Sequence, residues 1–262
     1  NQKEAEAIMG NAFTLMVICG ILLTILGIVF RRPLLYLFGA SDSTYPYAES
    51  YMTIYLLGSV FVMMGLGMNA FINSQGFGRI GMQTVLLGAV ANIILDPVFI
   101  FGFRMDVRGA ALATIISQFL SAAWVLRFLF SDRSILRLKR ETMMLKKARV
   151  LKIVSMGMSS FAAGFTNSVV AVACNATLQT WGGDLYVGVM TVIHSVREIA
   201  ENLVKGLTGG SQPVLGYNFG AGQPEREKGH PFFISFHHCL YHLLLDPDLD
   251  LPGDVYPHLQ PG

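Results

Sequence analysis

Long apolar runs alternate with short polar connections along most of this chain. Residues 12–30, 51–72 and 153–180 contain no Asp, Glu, Lys or Arg. Residues 80–103 contain only Asp96, and residues 109–130 only Arg127, close to the end. Residues 185–207 begin apolar and then carry Arg197, Glu198, Glu201 and Lys205. A hydrocarbon core of about 30 Å is crossed by about 20 helical residues. The pattern therefore predicts an all-α, polytopic membrane protein: a helical bundle with five clear transmembrane helices and a sixth whose second half is polar.

Composition agrees with the pattern. Of the 262 residues, 53% are hydrophobic and 14% are charged, where an ordinary soluble domain carries about 25% charged residues. That argues against a soluble enzyme and against disorder. Cys19, Cys174 and Cys239 are far apart and odd in number; they read as small apolar fillers rather than a disulfide framework. The first residue is Asn1, not Met, so the chain is expected to begin inside a longer protein or after a processing site.

Charge position gives an orientation. Residues 127–152 hold nine of the nineteen Lys and Arg residues, and the positive-inside rule puts that loop in the cytoplasm of a cell-membrane protein. Lys3, Arg79 and the segment after residue 207 then share its side. Arg31, Arg32, Arg104 and Arg108 fall on the other side against the rule, as short pairs outvoted by the large loop. With no aromatic interleaving, the loop signals topology rather than nucleic acid. Almost free of Gly and Pro, it is expected to form an amphipathic surface helix joining two bundles. The expected organisation is residues 1–130 as four spans of a first bundle, 131–150 as a basic linker, and 151–229 as two spans of a second. Residues 230–262 hold five of the six His residues and no Lys or Arg. They are expected to be an aberrant, disordered tail rather than a metal site.

Ionisable groups at bilayer depth are functional candidates. Asp96 lies among apolar residues, and Asn92, four residues earlier, shares its helix face. Pro97 follows and lacks an N–H, so a kink is expected, with the Ile93 carbonyl released. The outer turn is centred near Met105. Asp96 lies nine residues before it and Thr114 nine after it, which at about 1.5 Å per residue puts both near the bilayer midplane. Asn92, Asp96, Thr114 and the freed carbonyl then form an oxygen-rich cluster suited to a monovalent cation, Na⁺ or H⁺. Gln118 extends the same face. Asn167, Asn175, Glu198 and Glu201 are further candidates for lining a cavity, although Arg197, Glu201 and Lys205 also have ion-pair spacing. Asn69, Asn73 and Gln75 read as helix caps. Met63, Met64 and Met68 read as packing. Gly58, Gly65, Gly157 and Gly164 read as sites of close helix contact. No HExxH, GxSxG or paired intramembrane acids suggest an enzyme.

The segments INSQGFGRIGM (72–82), NIILDPVFIFG (92–102), VRGAALATIISQ (107–118), GDLYVGVMTVIHSVREI (183–199) and QPVLGYNFGAG (212–222) resemble the multidrug and toxic compound extrusion (MATE) transporters. The resemblance covers residues 1–229. It implies twelve spans in two pseudo-symmetric bundles, of which this chain holds spans three to eight. It further implies export of organic, often cationic, compounds against inward Na⁺ or H⁺ flow, with no other cofactor. In the family a cation site joins an Asn and an Asp on the fifth span to a Thr on the sixth, here Asn92, Asp96 and Thr114, with an acid on the first span, which this chain does not contain. A Glu used by some members on the seventh span has no counterpart in 153–180. Two alternatives remain open: a lipid-linked oligosaccharide flippase of the same superfamily, and a non-functional truncated product.

Overall fold

The computed structural model describes residues 2–221; the expected tail, 230–262, lies outside the described residues. Every regular element is helical: α1 (Gln2–Val29), α2 (Arg31–Leu37), α3 (Tyr45–Leu57), α4 (Ser59–Ser74), α5 (Gly78–Pro97), a π turn (Val98–Gly102), α6 (Asp106–Leu129), a 3₁₀ turn (Arg140–Met143) and α7 (Lys147–Gly220). Among the described residues four helices are long and apolar enough to cross a membrane, or five if the bent pair α3–α4 is one span. The protein is a multi-pass membrane protein.

The first four expected spans correspond to α1, α3–α4, α5 with its π turn, and α6. The second is broken: α3 and α4 meet at a 53° bend at Gly58, where an added Cβ would collide with Ile115 of α6. The small residue admits α6 into the angle. The fifth and sixth spans both fall in α7, whose helical geometry is interrupted at Gly183 (φ 61°, ψ −161°), a backbone region almost confined to glycine. Residues 1–188 make one compact unit, and a second begins at Val189.

In the first unit, α1, α4, α5 and α6 pack around Met9, Met68, Ile72, Val125, Phe128, Leu129 and Leu138. Met64 and Met68 are buried, as packing residues should be. Gly157 and Gly164, expected at close contacts, have no neighbour within 4 Å of an added Cβ.

The basic linker departs from expectation. Instead of an amphipathic helix, 131–146 is irregular with a single 3₁₀ turn, and several of its backbone groups bond to side chains of the bundle. Buried Asn11 donates to the carbonyls of Thr142 (3.0 Å) and Met144 (3.1 Å) and accepts from the Lys146 N–H (2.9 Å). Thr14 donates to Met143 (2.8 Å). Gln75, expected to cap a helix, is the C-cap of α4 and donates to the Phe71 carbonyl (2.8 Å); it also accepts from the Ser134 hydroxyl (3.0 Å) and the Leu136 N–H (2.8 Å). Gly10 lies so close to Thr142 that it leaves no room for a Cβ. Ahead of the uncharged stretch of α1, Glu6 binds Lys139 (2.7 Å) and Glu4 binds Arg149 (3.0 Å). At the opposite end, the Ser41 and Ser43 hydroxyls donate to Asp184 (3.0 and 2.9 Å).

Asn11→Leu leaves three backbone groups of the linker without their partner, each worth about 1–3 kcal/mol if it stays buried. Lower thermal stability and faster proteolysis within 131–146 are expected in the purified full-length protein. The Glu6 carboxyl is held below the ordinary carboxylate range, chiefly by Lys139, with burial opposing and the Arg137 N–H assisting. Its folded pKa lies below the unfolded one, so this anchor stabilises fully above the unfolded value and is lost as pH falls through the folded one. Thermal melts of Glu6→Gln should lack that acid-side loss.

Candidate functional site

The α5–α6 hairpin, crossed by α4, borders a partly open cavity of about 240 Å³. Asn92 on α5 and Thr114 and Gln118 on α6 line it, and Gly65 and Gly88 leave it room. The structure thus brings together three of the residues expected from sequence. Thr114 donates its hydroxyl proton to the Ala110 carbonyl (2.9 Å), which leaves its oxygen lone pairs as acceptors. Asp96 lies one helical turn beyond Asn92 and is not among the lining residues. Its Oδ1 is buried without a hydrogen-bond partner, as is the Asn92 Nδ2. Among the described residues Asp96 also takes part in no salt bridge.

Buried polar atoms are nearly always paired, because an unmade bond forfeits the lost hydration. The unsatisfied carboxylate and amide atoms in neighbouring turns of α5 keep hydrogen-bonding capacity that no described residue takes up. A carboxylate oxygen, an amide oxygen and a hydroxyl oxygen, with no basic side chain paired to the acid, suit a small cation.

Pro97 ends α5, and the chain widens directly into the π turn. Such turns often mark functional sites. The Phe103 N–H donates to the Val98 carbonyl (2.9 Å) and the Met105 N–H to that of Phe99 (3.0 Å). Gly109, at the start of α6, sits against the Phe99 backbone, where an added Cβ would lie 2.9 Å from the carbonyl carbon. Sequence reasoning passed over Gly109, Gly88, Ser117 and Ser121. The last two share the face of Thr114 at three and seven residues' separation, a helical spacing that was there to be read.

The remaining candidates sit elsewhere. Asn167 is exposed, and Asn175 lies against Gly39. In the second unit Glu201 is bridged to Arg197 (2.7 Å) and Lys205 (3.1 Å), while Glu198 is exposed. Among the described residues no cluster of His, Cys, Asp and Glu has the makings of a metal site.

Residues 1–98 match the family model MatE. The chain is 26% identical over 202 residues to the multidrug export protein MepA of Staphylococcus saprophyticus, covering 77% of this chain and 45% of that protein. It is 26% identical over 234 residues to an FAD transporter of Shewanella oneidensis, covering 87% of this chain and 51% of that protein. The chain spans about half the length of the curated relatives it matches. Among solved structures it resembles the MATE multidrug transporter DinF-BH, with a TM-score of 0.75 and 27% identity over 93% of this chain and 59% of that one. A MOP-superfamily transporter from Pyrococcus furiosus shares the fold, with a TM-score of 0.78 at 21% identity over 94% of this chain and 56% of that one.

Gly109→Ala should displace the π turn beside Asp96, because the atoms its Cβ meets are backbone; overpacking of this kind costs about 1–3 kcal/mol. Gly102→Ala, with nothing within 4 Å, is the control. Thermal unfolding of both variants in the full-length protein should show the loss only for Gly109→Ala.

Proposed function

The chain belongs to the MATE family of membrane transporters, and on that premise we propose that the protein exports small organic compounds, often cationic, in exchange for a monovalent cation, Na⁺ or H⁺, moving inward across the cell membrane. The observation that carries this reading is the unpartnered buried Oδ1 of Asp96, one helical turn from Asn92, which lines the cavity together with Thr114. A fully satisfied carboxylate would be structural; an unsatisfied one has an energetic reason to take up a cation. The multidrug names of MepA and DinF-BH support small organic substrates.

Asp96 alternates between a cation-loaded or protonated state and a free one. Asn92 and Thr114 supply the neutral oxygens around it. The change of charge acts on a helix that leaves regular geometry at the next residues, Pro97 and the π turn. The bend at that point then follows the loading of Asp96 and biases the bundle between inward and outward access. The basic linker faces the cytoplasm, which places Lys3 and Arg79 on the same side and Met105 at the outer surface.

Asp96→Asn in the full-length protein should abolish cation-driven export while leaving the amount in the membrane unchanged. Export driven separately by a Na⁺ gradient and by a pH gradient in proteoliposomes measures this and identifies the ion. Undiminished export under both gradients would overturn the assignment.

A further inference from the structure

From Asn92 the cavity runs away from Asp96, towards Thr84 and Asn69. We propose that the seam between α4, α5 and α6 is a hydrated passage for the small monovalent cation, leading from Asn92 and Thr114 to the end of the bundle that carries the basic linker. The proposal rests on the reading of Asp96 as the coupling site and adds a route that passes inside a single bundle.

Its far end carries an observation of its own. Asn69 of α4 lines the cavity and is only 9% exposed, yet its Oδ1 has no hydrogen-bond partner. Its Nδ2 donates to the Gly81 carbonyl (3.3 Å). Gly81 lies eleven residues from Asn92 along α5, or about 16 Å at about 1.5 Å per residue. Unsatisfied polar atoms therefore stand at both ends of the seam, Asn92 and Asn69, separated by roughly half the thickness of a hydrocarbon core. Asn73, one turn on from Asn69, is half-buried near the end of α4 and also closes on Gly81, where a Cβ would strike its Oδ1.

Between those ends the hydroxyl oxygens of Thr84, Ser117 and Ser121 share the lining with the apolar side chains of Leu66, Val85 and Ala89. Thr84 donates to the Ile80 carbonyl (3.1 Å), Ser117 to that of Ala113 (2.8 Å) and Ser121 to that of Thr84 (3.2 Å). Each hydroxyl proton is spent on the backbone, so the oxygens remain as acceptors. No lining residue is charged. Acceptors without a fixed charge favour a cation over an anion and hold it weakly enough to let it go. A volume of about 240 Å³ has room for several waters at about 30 Å³ each. The passage is narrow by construction: a Cβ on Gly88 would strike the Ser121 hydroxyl. At Gly65 the opposite holds. An added Cβ there meets only ordinary contacts, the nearest at 3.7 Å, so the first carbon of a side chain at that position is accommodated beside the passage.

The test uses the full-length protein with every native cysteine, Cys19, Cys174 and Cys239 among them, replaced by alanine and Ser121→Cys introduced, in inside-out and right-side-out membrane vesicles. The probe is Ag⁺, a monovalent cation of sodium-like size that reacts with thiols. Cys at this position is expected to react rapidly with Ag⁺ from the linker side, and addition of Gly65→Leu should slow that reaction about tenfold or more. No reaction from the linker side, or a rate that Gly65→Leu leaves unchanged, would overturn the passage. In transport assays Gly65→Leu should impair cation-driven export. If Asp96→Asn stops export and Gly65→Leu does not, the passage alone falls. If Asp96→Asn leaves export intact, the coupling site falls, and the Ag⁺ result still decides whether the seam conducts. Should Gly65→Leu not reach the membrane, Asn69→Leu replaces it in the same Ag⁺ measurement, with the same outcomes deciding.

Discussion

Polar side chains inside an apolar helix bundle must be satisfied, and how each one is satisfied decides what it does. The first unit shows both solutions. Asn11 is fully buried and engages both ends of its amide: Nδ2 on Ala7, Thr142 and Met144, Oδ1 on the Lys146 N–H. It is a fastening. Asn92, Asp96 and Asn69 are the other kind. Each keeps a buried polar atom without a protein partner, and all three belong to helices that border one cavity. The same residue type is structural at one end of α1 and chemical in the α4–α5–α6 seam, and the difference is hydrogen-bond accounting rather than depth.

That distinction marks what the sequence could reveal. The spans were legible because a run of about 20 uncharged residues has few other uses. Asp96 was legible for the same reason: one charge in such a run stands out. Asn92 and Thr114 followed from helix spacing and a symmetric hairpin, and both line the cavity. The linker was misread because its charge and lack of Gly and Pro suit a helix, whereas its backbone is held by partners more than a hundred residues away, such as Asn11 with the Lys146 N–H and Glu6 with the Arg137 N–H. Nothing local in 131–146 records them. The bend at Gly58 was hidden too, since glycine is common at intramembrane helix contacts and only the approach of Ile115 shows which contact it serves.

Glu201 teaches the converse. Its i, i+4 spacing to Arg197 and Lys205 was visible, and both ion pairs form. A carboxylate flanked by two cations one turn away on either side has its charge answered on its own helix. Asp96 has no basic residue at that spacing: positions 92 and 100 are Asn and Ile. Of the two acids, the one whose helix offers no counter-charge is the one free to change its partner.

The π turn gives that freedom a mechanical consequence. An α-helix interior is rigid because each N–H is committed four residues back. Pro97 has no N–H to commit, and Val98–Gly102 already follow a wider, rarer pattern. The boundary between the two geometries falls one residue after Asp96. Gly109 presses α6 against the Phe99 backbone at that place, so a change in the π turn is felt at once by the neighbouring helix. A charge gained or lost at Asp96 therefore acts beside the point where α5 leaves regular geometry and where the start of α6 packs against it. Had the same aspartate stood two turns earlier, in the regular part of α5, an identical charge change would meet an intact hydrogen-bond ladder and move little.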